Sequence, residues 1–78
     1  MKIKTGKVLE ITNLYTGEEF KVLHDSRAQA RREGSRAIAR MRQGVFTISD
    51  FSTGAVLDYG DTDSNPTHLA EYYALVGE

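Results

Sequence analysis

Residues 8–22 read VLEITNLYTGEEFKV, and residues 45–59, 37 positions on, read VFTISDFSTGAVLDY. Val8/Val45, Ile11/Ile48, Thr16/Thr53 and Gly17/Gly54 are identical. Leu9/Phe46, Thr12/Ser49, Asn13/Asp50, Leu14/Phe51 and Phe20/Leu57 are conservative pairs. A pattern matched along its whole length predicts one conformation used twice. In the first copy Leu9 and Ile11, then Phe20 and Val22, alternate onto one face; in the second, Phe46 and Ile48, then Leu57 and Tyr59, do the same. Period two marks half-buried strands, so each copy reads as a β-hairpin. Asn13 or Asp50 can close the turn through its side chain, and Gly17 or Gly54 can take the positive φ there.

A helix is expected after each hairpin. Ser26 to Gln43, SRAQARREGSRAIARMRQ, is built of strong helix formers, with Asp25 or Ser26 as N-cap and Gly44 as the C′ glycine. Ala30, Gly34, Ala37, Ile38 and Met41 share one face at 100° per residue. The second helix comes after DTDSN, with Asn65 as N-cap and Pro66 at N1, and repeats Leu69, Tyr72, Tyr73 and Val76 at i, i+3, i+4, i+7. The expected fold is α+β, a two-layer ββα-ββα domain whose four-stranded antiparallel sheet carries both helices on one face. It is a single domain over residues 1–78, with repeat units 8–43 and 45–76. Its core is expected to hold Leu9, Ile11, Phe20, Val22, Ile38, Met41, Phe46, Ile48, Leu57, Tyr59, Leu69, Tyr73 and Val76. On the other sheet face Val8, Leu23, Val45 and Val56 point outward among Glu10, Thr12, Glu19, Lys21, Thr47, Ser49 and Asp58, with Leu14 and Phe51 on the turns. A homodimer, or a partner on that face or on an unpaired edge strand, would cover the apolar part; otherwise the chain is a monomer.

Composition narrows the chemistry to binding. The chain has 78 residues, 40% of them hydrophobic, and no cysteine, which removes disulfides and thiolate metal sites. The start, MKIKTGKV, has no apolar leader core, and no apolar run approaches the length of a membrane span, so a cytoplasmic protein without membrane contact is expected. His24 and His68 lie 44 residues apart; His24 reads as a strand-end side chain and His68 as solvated, so no metal or other cofactor is expected. No nucleophile, base and orienting group are gathered by any motif, and TG in a hairpin turn lacks the strand-to-helix setting of a phosphate loop, so the reading is a non-enzyme.

Charge is segregated along the chain. Residues 26–43 carry Arg27, Arg31, Arg32, Arg36, Arg40 and Arg42 against Glu33 alone, whereas residues 44–78 contain no Lys or Arg and six acids. Arg32, Arg36 and Arg40 form an i, i+4, i+8 ladder away from the apolar helix face, and like charges at that spacing repel. Three sources of negative charge would relieve them: the chain's own Asp61, Asp63 or Glu71, the phosphates of a nucleic acid, or an acidic partner protein. Arginine throughout points to forked contacts with carboxylate or phosphate. The acids Asp50, Asp58, Asp61 and Asp63 read either as solubilising charge or as a surface that imitates phosphate spacing or meets a basic partner.

Small size, absence of cysteine, hairpin–helix–hairpin order and an arginine-rich helix together resemble small phage-encoded host-takeover proteins, including some anti-CRISPR inhibitors. The resemblance implies stoichiometric binding to a host protein or ribonucleoprotein complex. The alternative is a small nucleic-acid-binding domain touching phosphates through the same helix. The overall charge of −1 weighs against that alternative, because such domains are usually basic throughout.

Overall fold

The computed structural model describes residues 6–77. The elements run β1 (Lys7–Asn13), β2 (Glu19–His24), α1 (Arg27–Ala39), β3 (Gly44–Asp50), β4 (Val56–Asp61) and α2 (His68–Val76). The strands pair antiparallel in one open sheet of order β2-β1-β3-β4, giving the α+β architecture expected of the repeat.

Both hairpins close by the same bonds, because the turn chemistry is local. Asn13 Oδ1 accepts the N–H groups of Tyr15 at 3.0 Å and Thr16 at 3.1 Å; Asp50 Oδ1 accepts those of Ser52 at 2.8 Å and Thr53 at 3.1 Å. Gly17 donates to Asn13 O at 2.7 Å with φ 86°, and Gly54 to Asp50 O at 2.8 Å with φ 78°. The correspondence extends to the next neighbours: Leu14 donates to Gln43 O and Phe51 to Gly6 O, again 37 residues apart. The two hairpins, though not the helices that follow them, are thus related by a pseudo-twofold axis between β1 and β3, where Leu9 faces Ile48 and Ile11 faces Phe46. A β-carbon at Gly17 or Gly54 meets nothing within 4 Å, so only the positive φ opposes a side chain. Gly17→Val and Gly54→Val are each expected to cost about 1–2 kcal/mol, read from urea midpoints. Unchanged midpoints would mean that the turns re-form without the left-handed residue.

The repeat breaks at β4. Ile48 faces Asp58 but Ser49 faces Val56, so Leu57 is an extra residue bulged out of the ladder. One inserted residue exchanges the faces of every later position in the strand. Asp58 and Gly60 therefore lie on the helix side, opposite Ile48 and Phe46, and Tyr59 lies on the outer side opposite Thr47. This corrects two expectations at once: Tyr59 is 61% exposed and outside the core, and Asp58 is not on the outer face. The reason is steric. The Phe46 ring occupies the space a β-carbon at Gly60 would need, so only glycine can stand opposite it.

The core is narrower than expected. Leu9, Ile11, Ala30, Ile38, Phe46 and Ile48 are buried, with Ala37 and Met41 packed against them, while Leu57 and Tyr73 are half-buried. Phe20 and Val22 do face the helix side, opposite Ile11 and Leu9, yet Phe20 remains 48% exposed and Val22 is exposed too. A helix is about 10–12 Å across and strands repeat every ~4.8 Å, so α1 alone covers the two central strands and leaves β2 open. Leu69 and Val76 are likewise exposed, because α2 packs beside the end of α1 and not over the strands. On the outer face Val8 pairs with Leu23 and Ser49, Val45 with Thr12 and Asp61, and Val56 with Ser49, as the alternation requires.

The helix ends also differ in part. Ser26 Oγ accepts Gln29 N–H at 3.1 Å and caps α1. The helix stops at Ala39, not at Gly44, which instead opens β3 and exchanges hydrogen bonds with Thr62 at 3.0 and 3.1 Å. Asn65 accepts Thr67 N–H at 3.1 Å and closes the turn holding Pro66; regular helix begins only at His68. Gly77, with φ 79°, terminates α2. No helix among the described residues is long and apolar enough to cross a membrane.

Candidate functional site

The arginine helix is seated on the sheet by small residues. Ala30, Gly34 and Ile38 form its buried line, and a β-carbon at Gly34 would lie 2.8 Å from the Phe46 ring and 3.1 Å from Leu9. Close seating fixes which way every arginine points. Arg27 and Arg31 lie on the flank facing β4, where the bulge has turned Asp58 inward. Arg27 Nε donates to Asp58 Oδ2 and its terminal N–H to Leu57 O at 2.9 Å, while Arg31 Nε lies 3.9 Å from Asp58 Oδ1. The Asp58 side chain is only 18% exposed. The hydrogen bond from Arg27 holds its carboxyl below the usual carboxylate range, and the same bond raises the Arg27 guanidinium.

Arg42 is held differently. Its guanidinium lies 5.6 Å from the Tyr15 ring centre and 5.9 Å from that of Tyr73, and it donates to Tyr73 Oη at 2.6 Å. Tyr15 is 68% exposed above it. The arrangement is a cation–π stack joining the first hairpin turn, the segment between α1 and β3, and α2. A cleft of about 350 Å³ opens beside it, lined by Tyr15, Arg42, Asp63, Asn65, His68 and Leu69 among others. His68 is buried and not solvated as expected: its Nε2 lies 2.7 Å from Met41 O and ties α2 to the chain after α1.

Arg32, Arg36 and Arg40 are left exposed, and among the described residues no acid lies within ion-pair distance of them. At 100° per residue they stand opposite the buried line, in a row with one-turn spacing on the solvent side. Of the chain's own acids offered as one source of relief, Asp61 and Glu71 are engaged elsewhere, and Asp63 makes no ion pair with the ladder. Asp61 accepts Ser64 N–H at 2.7 Å and Ser64 Oγ–H at 2.6 Å, and Glu71 accepts from Asn65 and Thr67. Thus the six arginines divide into two paired on Asp58, one stacked between tyrosines, and three facing outward. Asp58 as the internal partner escaped the sequence reading. The isolated glycine in LDYGD was the available signal, since glycine inside a strand often marks a bulge or a close approach.

Three aspartates have depressed pKa values: Asp58 through Arg27, Asp50 through the N–H groups of Thr53 and Ser52, and Asp61 through the Ser64 hydroxyl, then Tyr59. Their stabilisation is complete above the value of an unfolded aspartate, about 3.9, and is lost as pH falls through their lower folded-state values. Urea midpoints should therefore hold level from neutrality to about pH 5 and decline below about pH 4. Asp58→Asn should lower the neutral plateau and shrink that acid-side decline. An undiminished decline in the variant would place the acid sensitivity elsewhere. No three His, Asp or Glu side chains converge as a metal would need among the described residues. His24 Nε2, on the helix side next to Lys7, is buried with no hydrogen-bond partner among the described residues.

No protein-family model, no curated protein and no solved structure matches the chain.

Proposed function

We propose that the chain is a non-enzymatic binding protein that docks on an acidic surface of a host protein or ribonucleoprotein complex through Arg32, Arg36 and Arg40. The reading stays close to the small phage-encoded inhibitors, anti-CRISPR proteins among them, that the sequence resembles. The observation that carries it is the division of the arginines. Arg27, Arg31 and Arg42 have partners within the fold, so the structural role of the helix is met without the ladder. Three unpaired guanidinium groups in one row repel each other and remain stabilising only with negative charge brought from outside.

The test is capture from host lysate by the immobilised wild-type chain and by the Arg32→Glu/Arg36→Glu/Arg40→Glu variant. The variant should keep its circular dichroism and melting temperature and lose about tenfold or more in affinity. Equal capture by a folded triple variant overturns the proposal. A second reading, a small nucleic-acid-binding domain, is favoured by the exposed Tyr15 ring stacked on Arg42, since aromatic and arginine planes accept unstacked bases. Capture abolished by nuclease, with affinity falling log-linearly in salt by about 0.9 per phosphate contact, is its signature.

A further inference from the structure

The sheet has two edges, and they are unlike. The β4 edge is interrupted by the Leu57 bulge, whereas β2 pairs with β1 in unbroken register from Glu19 to His24 and is exposed along nearly its whole length. The turn sets the phase of its hydrogen bonds. Asn13 donates to Glu18 O at 2.8 Å and Thr12 faces Glu19, so Ile11/Phe20 and Leu9/Val22 are the hydrogen-bonded pairs. The backbone groups of Phe20 and Val22 are therefore taken up by β1. Those of Glu19, Lys21 and Leu23 point away from the sheet, and among the described residues no strand meets them.

We propose that a second copy of this chain pairs with this edge, β2 against β2 and antiparallel, with the twofold axis passing through Phe20. The two sheets then join into one of eight strands. Charge selects both the occupant and the register. Twofold pairing of the outward groups can be centred on Phe20, Lys21 or Val22. A centre at Lys21 sets that lysine opposite itself, and like charges directly opposed are destabilising. A centre at Val22 sets Lys21 against Leu23 and Phe20 against His24, with no charge matched. The centre at Phe20 sets Glu19 opposite the partner's Lys21 and Lys21 opposite the partner's Glu19, each pair exchanging backbone bonds. On the helix side it brings Phe20 against the partner's Phe20, covering rings that α1 leaves open. Lysine alone on an edge strand acts against pairing; a glutamate two residues earlier turns it into half of a self-complementary motif. Lys21 pairs with Glu10 at 3.7 Å on the same outer face, but its side chain is 70% exposed, so its ammonium can also meet the partner's Glu19 from the open side of the strand.

Sedimentation of the purified full chain tests this independently of the arginine ladder. The wild type should be dimeric at about 100 µM. Glu19→Lys and Lys21→Glu should each weaken self-association about tenfold or more while circular dichroism stays unchanged. Mixed one to one, these two variants should regain the dimer mass, because every charge across the interface then meets its opposite; the Glu19→Lys/Lys21→Glu chain should do the same alone. A monomeric wild type, a dimer indifferent to Glu19→Lys, or a mixture that stays monomeric would each overturn the proposal. The Arg32/Arg36/Arg40 variant should dimerise normally, so failure here and failure of the proposed function are separate results.

Discussion

Ile48→Ala is expected to cost about 2–5 kcal/mol, which in a domain this small approaches the whole of its stability. Ile48 is fully buried, lying between Leu9 of β1 and the Asp58 position of β4 under α1. Its surroundings have little freedom to collapse into the vacated space. Leu9 is equally buried, and α1 is fixed at the other end of β3 by the contact of Gly34 with Phe46. A melting temperature lower by about ten degrees or more is the expected reading, since about 1 kcal/mol moves a domain of this length by 4–8 °C. Phe20→Ala supplies the contrast. Phe20 lies on the same face but is half exposed, so removing it should cost clearly less despite the larger side chain. If Ile48→Ala were the milder of the two, the weight of the core would sit over β2 and not over the central strands.

Gly60→Val is expected to destabilise by about 1–3 kcal/mol or more, although valine usually strengthens a strand. The sign reverses because Phe46 is held from two sides. A β-carbon at Gly60 would fall inside the contact distance of the ring, and the ring cannot retreat because Gly34 on α1 already approaches it so closely that a β-carbon there would lie 2.8 Å away. Moving it means lifting the helix. The decisive measurement is a double-mutant cycle with Phe46→Leu. The smaller side chain should absorb much of the cost of Gly60→Val, giving a coupling of about 0.5–3 kcal/mol. Additive effects would show that glycine serves at this position for backbone reasons alone.

The turns were legible because their bonds span only two to four residues: Asn13 with Thr16, Asp50 with Thr53, Gly17 and Gly54 beyond them. The central strands were legible for a related reason, since both flanks of Leu9–Ile11 and Phe46–Ile48 alternate without interruption. What could not be read was parity after an insertion. Leu57 fits the alternation of its repeat partner Phe20; the isolated Gly60 signals an irregularity without saying which residue is extra, and the demand of the Phe46 ring for Gly60 settles that. Coverage was equally hidden. Periodicity assigns Phe20 and Val22 to the helix side, but whether a helix reaches them depends on the width of α1 against four strands. In the candidate site, the outward ladder was visible in helical spacing alone. The pairing of Arg27 and Arg31 was not, because it depends on that same slipped residue, and the stack of Arg42 between Tyr15 and Tyr73 joins three segments distant in sequence.

The pseudo-twofold axis also determines how this chain finds its structure. Each hairpin is a short-range event, closed by a turn of a few residues on a timescale of about 1–10 µs. Pairing β1 with β3 is the one step that must close a long segment, and α1 lies inside that segment. Its first turn is capped by Ser26, and Gly34 offers nothing to obstruct the approach of Phe46. The slow search is thus expected to be the meeting of two hairpins, each only marginally stable alone, whose central strands are self-complementary about the axis. Exchanging the two hairpins returns the same strand pairing, and the alternation of Leu9, Ile11, Phe46 and Ile48 already decides which face α1 covers. The Leu57 bulge, present in one hairpin only, ends that symmetry: it turns Asp58 to the helix side, where Arg27 pairs with it and ties the start of α1 to β4.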